Sequence, residues 1–151
     1  MDKNEARAAL DAAQDATSSL VETARAACPP WRHAAFALVM ALLVLSTGLP
    51  LPWRLALFLT GMIGTGWLAA WDRRRSGIFV NGFRRGATRP VALALLGMML
   101  VLVFAEAHAH AANLSLATRL GLAVIALAFA GLASMRFQQI YLRELQEGLV
   151  P

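Results

Sequence analysis

The side chains best suited to chemistry gather in a few short segments. Glu106, His108 and His110 read E-A-H-A-H, and two histidines with a carboxylate are a donor set that a transition metal can use. On a continuing helix Glu106 and His110, four apart, share a face while His108 points elsewhere; in an extended segment all three align. No other His, Cys or acidic residue is expected at that end of the protein, so only symmetric copies in an oligomer would complete the set. His33 has no expected acidic or serine partner that would make it catalytic. Cys28 is the single cysteine, which excludes an intramolecular disulfide and a Cys-rich metal site. Met40, Met62, Met98 and Met99 read as packing or lipid-facing residues. With no nucleophile-base pair, complete metal set or cofactor motif, the chain is expected to be neither an enzyme nor a cofactor carrier.

The other concentrated segment is D-R-R-R-S-G-I-F-V-N-G-F-R-R-G-A-T-R-P, residues 72–90. Arg73, Arg74 and Arg75 on one side and Arg84, Arg85 and Arg89 on the other flank an apolar patch containing Phe79 and Phe83. Such a loop suits an interface, its apolar tip between lipids and its arginines on phosphates, each worth on the order of 1 kcal/mol near an anionic leaflet. The plainer reading is topogenic charge with an incidental apolar patch. The P-loop pattern is absent.

These segments hang on an unusually apolar frame. The chain is 58% hydrophobic and only 15% charged, too apolar for an ordinary soluble domain. Four runs, about 34–49, 55–71, 91–105 and 120–135, contain no charged side chain. Each is short of the ~20 residues that a ~30 Å hydrocarbon core asks for, but flanking arginines can lay their methylene stems along lipid and extend them. Trp31, Trp53, Trp67 and Trp71 fall at or near the ends, where an amphipathic ring prefers the interface. A soluble four-helix bundle would need polar stripes that these runs lack.

Thirteen of the 14 basic residues are arginine. Counted by side, twelve Lys and Arg fall with the termini and the 72–89 loop, and two, Arg54 and Arg119, with the opposite turns. A Lys/Arg excess marks the cytoplasmic side. The fold class is therefore all-α: an integral membrane four-transmembrane-helix bundle with an N-terminal amphipathic cytoplasmic helix. Residues 1–30 carry that helix and a Pro-Pro hinge, 31–136 the membrane domain and 137–151 a cytoplasmic tail. No cleavable signal peptide is expected, because the first 27 residues are polar and Ala-rich. The arginines are expected to meet lipid phosphate rather than nucleic acid.

Alanine-rich residues 2–27 favour helix. Ala6, Leu10, Ala13, Thr17, Leu20, Ala24 and Ala27 recur in steps of three and four, a heptad-like seam. Its small side chains bury little area and need close packing. The segment reads either as a partly frayed solvated helix or as a helix that docks a partner through Leu10, Ala13, Thr17, Leu20 and Ala24. Small residues in the runs, Gly61 and Gly64 in the second and Gly121, Ala126, Ala130 and Ser134 in the fourth, suit close helix contact within one subunit or between two.

The charged N-terminal helix, the two hairpins and the run R-R-R-S-G-I-F-V-N-G-F-R-R-G-A-T-R at 73–89 resemble a set of small bacterial four-span inner-membrane proteins with no established activity. That resemblance implies a bacterial inner-membrane location and no catalytic residues. The expected function is a non-enzymatic accessory or scaffold presenting cytoplasmic surfaces to a protein partner, or a second copy, and to anionic membrane lipid. The competing class is a small oligomeric transporter or pore.

Overall fold

The computed structural model describes residues 2–26, 28–76 and 86–147. Within them every element is helical: α1 (Lys3–Ala26), α2 (Pro30–Ser46), α3 (Leu51–Ser76), α4 (Arg89–Ala111) and α5 (Leu116–Gln146). Pro29 and Pro30 separate α1 from α2. Pro29 is the extended N-cap and Pro30 opens the helix, a position where the missing N–H costs nothing. Arg73, Arg74 and Arg75 occupy the last turn of α3, where positive charge complements the helix dipole.

The turn between α4 and α5 follows from its residues. Asn113 adopts φ 52°, the left-handed conformation that asparagine tolerates better than most residues. Its N–H donates to the His110 carbonyl at 3.1 Å, and that of Leu114 to the Ala109 carbonyl at 2.9 Å, the paired pattern that closes a helix C-terminus. Ser115 then caps α5, its hydroxyl accepting from the Thr118 N–H.

Three helices, α3, α4 and α5, are long and apolar enough to cross a membrane. At 17 residues, α2 is about 26 Å long and is the central member. It packs against α5, α3 and α4, while α4 also packs on α5. The arrangement is thus a trio of α2, α4 and α5 with α3 applied mainly to α2, rather than four equivalent helices around one axis.

Small residues permit this. Ala37, Ala41 and Val44 of α2 are buried, as are Ala123, Ala126 and Ala130 of α5, and a β-carbon added at Gly131 would lie 3.6 Å from that of Ala37. Across the α2–α3 contact, a β-carbon at Gly61 would meet Leu43 Cδ2 at 2.6 Å and one at Gly64 would meet Val39 Cγ2 at 3.0 Å. Close backbone approach of this kind supplies the packing that substitutes for a hydrophobic drive between helices in lipid. Gly121, expected to join the α5 seam, faces open space.

α5 is longer than the fourth apolar run. Residues 137–146, expected as tail, continue the helix to Gln146, because no Pro or Gly interrupts them and Gln138, Gln139, Leu142, Arg143, Glu144 and Leu145 are good or acceptable helix formers. The 31-residue helix is about 46 Å long. Its projecting end carries α1, which packs on α5.

Candidate functional site

Three polar assemblies and one exposed helix are positioned by this frame. The first assembly lies where α2 begins and α3 and α5 approach their ends. Arg32 engages Asp72 through two hydrogen bonds, Nε to Oδ1 at 2.8 Å and Nη2 to Oδ2 at 2.5 Å, a bidentate geometry that fixes the guanidinium plane. His33, 6% exposed, bridges α2 to α5, with Nδ1 2.8 Å from Ser134 Oγ and Nε2 2.6 Å from Gln138 Oε1. The sequence offers His33 no serine partner: Ser134 is 101 residues away and reads there only as a small packing residue, so nothing local signals the contact.

Cys28 Sγ lies 3.8 Å from His33 Nε2. Burial pushes its thiol above the usual range, only partly offset by the Arg32 charge. A thiol kept protonated is a poor nucleophile at neutral pH, and Ser134 sits in mid-helix. The group is therefore suited to clamping helices together rather than to covalent chemistry.

The second assembly is at the opposite end. α4 continues as helix through the E-A-H-A-H segment, so Glu106 and His110 share a face and His108 points elsewhere. Glu106 is fully buried. Arg119 Nε donates to Glu106 Oε1 at 2.9 Å, and Arg119 Nη2 donates to the Gly48 carbonyl in the α2–α3 turn. One guanidinium thus ties α4, α5 and that turn together. Glu106 Oε2 is buried with no hydrogen-bond partner among the described residues. His108 is exposed and His110 half-buried, and among the described residues no group of three His, Cys, Asp or Glu could hold a metal ion. The expected donor set is thus divided, its carboxylate committed to Arg119. Glu106 was read as lying just beyond an uncharged run, and the pairing joins residues in two runs that had been considered separately.

The third assembly joins α5 to the residues that precede α4. The Ala87 N–H donates to Glu144 Oε1 at 2.5 Å, Gly86 admits the carboxylate closely, and Thr88 is fully buried. Of the expected lipid-binding residues, Arg73, Arg74, Arg75 and Arg89 are exposed. Phe79, Phe83, Arg84 and Arg85 lie outside the described residues.

The exposed helix is α1. None of its residues is buried. Ala6, Thr17, Val21 and Ala24 are half-buried, whereas Leu10, Ala13 and Leu20 of the expected seam are exposed. The inward face therefore runs through Val21 rather than Leu20. Between α1 and the end of α5 lies an open groove lined in part by Leu10, Ala13, Thr17, Val21 and Gln146.

The hydroxyls within the apolar helices or at their ends that a pore could use each spend their donor on their own helix and keep only acceptor capacity. Ser46, Thr47, Thr60 and Thr65 each donate to a carbonyl three or four residues earlier, at 2.7 to 2.9 Å. No family model matches the chain, and no curated protein or solved structure matches it either.

Proposed function

We propose that this is a four-span membrane accessory protein without enzymatic activity, which holds α1 at the cytoplasmic face as a docking helix for a protein partner. The observation that carries this reading is α1 itself. It is a 24-residue helix with no buried residue, held on one side by α5 and bordered by an open groove. Leu10, 61% exposed, lines that groove and leaves apolar surface open to a partner.

Residues 1–27 carry Asp2, Glu5, Asp11, Asp15 and Glu22 against Lys3, Arg7 and Arg25. An acidic helix gains little from an anionic leaflet, so the surface it suits is a basic one with small side chains, on another protein or a second copy.

The fourth crossing in this reading is α2, slightly short for a ~30 Å core but extended by Arg32 at one end and by the turn to α3 at the other. The twelve-to-two distribution of Lys and Arg sets the termini inside, in a bacterial inner membrane as the resemblance of the 73–89 run implies.

Replacing Ala13, which lines the groove, by Trp is expected to preserve expression and membrane insertion while removing partner recovery, or shifting oligomeric state, in mild detergent. If deletion of residues 2–27 changes neither, α1 is no docking element.

A second reading, a small oligomeric transporter, has one observation in its favour: Glu106, a buried carboxylate on a helix apolar enough to span a membrane, is the kind of group that ion carriers use. Ion flux from purified protein in liposomes separates the two.

A further inference from the structure

The surface of α3 that borders its contact with α2 is not uniformly apolar. Arg75, Trp71, Trp67 and Ile63 recur every four residues, so they form one ridge along the helix surface. The Arg75 guanidinium lies over the Trp71 ring, 5.2 Å from its centroid. Trp31 of α2 flanks the ridge, its ring 4.8 Å from that of Trp71 in an edge-on arrangement and 6.3 Å from that of Trp67. Trp31 is 44%, Trp67 56% and Ile63 71% exposed.

We propose that this ridge binds one anionic phospholipid, with the phosphate on Arg75, the glycerol region against the Trp31–Trp67–Trp71 cluster and an acyl chain along Ile63. The inference rests on the membrane reading above, and three features carry it. First, the order of chemistry along the ridge is that of a lipid: cation, amphipathic rings, aliphatic surface. Twelve residues of helix rise about 18 Å, close to the depth of one leaflet of a ~30 Å core.

Second, Arg75 is preset. The cation–π contact places the positive charge beside Trp71, and the planar fork of guanidinium N–H donors matches two phosphate oxygens. Third, Asp72, the carboxylate nearest in sequence, is engaged at both oxygens by Arg32. The competing anion is therefore already committed, and positive charge dominates the last turn of α3.

The test uses the full chain with Trp53, at the other end of α3, replaced by Phe, so that tryptophan fluorescence reports the basic end. In nanodiscs of phosphatidylcholine containing a minority of phosphatidylglycerol, the bromine-labelled acyl chains are placed on one lipid class at a time. Brominated phosphatidylglycerol is expected to quench as though enriched roughly fivefold at the rings, the ratio set by one arginine near an anionic headgroup. Arg75→Gln should remove that enrichment. Arg74→Gln deletes the same charge without the ring contact and should retain it.

Equal quenching by the two brominated lipids overturns the proposal. So does equal loss in the two variants, which would mean diffuse surface charge rather than a site. Failure of the chain to enter the bilayer would overturn the membrane reading as well, and is distinguished by absence of quenching from either lipid.

Discussion

Arg119→Met is the most informative single change. In the native arrangement Arg119 is 14% exposed and Glu106 wholly buried. Glu106 Oε1 depends on Arg119 Nε at 2.9 Å, and the Gly48 carbonyl on Nη2. Methionine keeps much of the apolar stem and removes the charge, leaving a carboxylate enclosed with neither oxygen partnered by Arg119. Removing one member of a buried pair typically destabilises by about 3–5 kcal/mol, most of it the cost of the charge left behind. The orphaned Gly48 carbonyl adds about 1 kcal/mol if water cannot reach it.

The double variant Glu106→Met/Arg119→Met removes both charges and should recover most of the loss, since apolar replacement of a whole buried pair is often neutral or stabilising. Unfolding of the purified protein in mild detergent, followed by circular dichroism against temperature, measures the cycle. Under the proposed orientation Arg119 is one of only two basic residues on its side, so its loss strengthens the charge asymmetry and does not confound the cycle. Gly48→Ala approaches the same site from the backbone, because a β-carbon there would overlap Glu106 Oε1 and crowd Arg119 Nη2. It should reproduce much of the single-variant loss. An Arg119→Met protein as stable as the parent, or a double variant less stable than either single one, would refute the reasoning.

Two other outcomes are expected. With the termini inside, as proposed, Cys28 should react with a membrane-impermeant maleimide in inverted vesicles and not in intact cells; because burial holds its pKa up, its thiolate fraction lies below that of a free cysteine at neutral pH, and labelling should accelerate as pH rises and on denaturation. Gly61→Ala forces Leu43 to move and should cost about 1–3 kcal/mol in the same melt, whereas Gly97→Ala, where nothing lies within 4 Å, should be neutral or slightly stabilising through helix propensity.

How far the sequence predicts this structure depends on the kind of residue. The helices are legible in outline because long uncharged runs without Pro in their interiors mark α2, α3, α4 and α5, and alanine's helix propensity marks α1. The Pro-Pro break is legible for the same local reason, and the contact glycines of α3 and the small residues of α5 follow from the spacing rule for close contact, whereas the alanines of α2 do not. What sequence spacing does not disclose is which helices touch. The four runs are apolar on every face, so no polar stripe indicates an inward direction, and the peripheral place of α3 is set by tertiary fit at Gly61 and Gly64. The extension of α5 past Met135 was missed because hydropathy ends there while helix propensity does not.

The polar contacts mark the same boundary between local and long-range information. Glu106 and His110 are read as sharing a face from their spacing, yet the partner of Glu106 comes from the next helix. His33 is 105 residues from Gln138. In a bundle whose interfaces are mostly alanine and glycine, shape alone distinguishes one rotation of a helix from another only weakly, because small side chains interdigitate shallowly. Polar groups restricted to the two ends resolve that ambiguity: Arg119 can reach both Glu106 and Gly48 in one rotation of α4 against α5, and His33 can reach both Ser134 and Gln138 in one rotation of α2 against α5. Glu106, Arg119 and His33 lie within a turn or two of an end of their own helices, where desolvation is least costly, while Ser134 meets His33 from mid-helix. Close packing of small residues such as Ala41, Ala126 and Ala130 fills most of the middle.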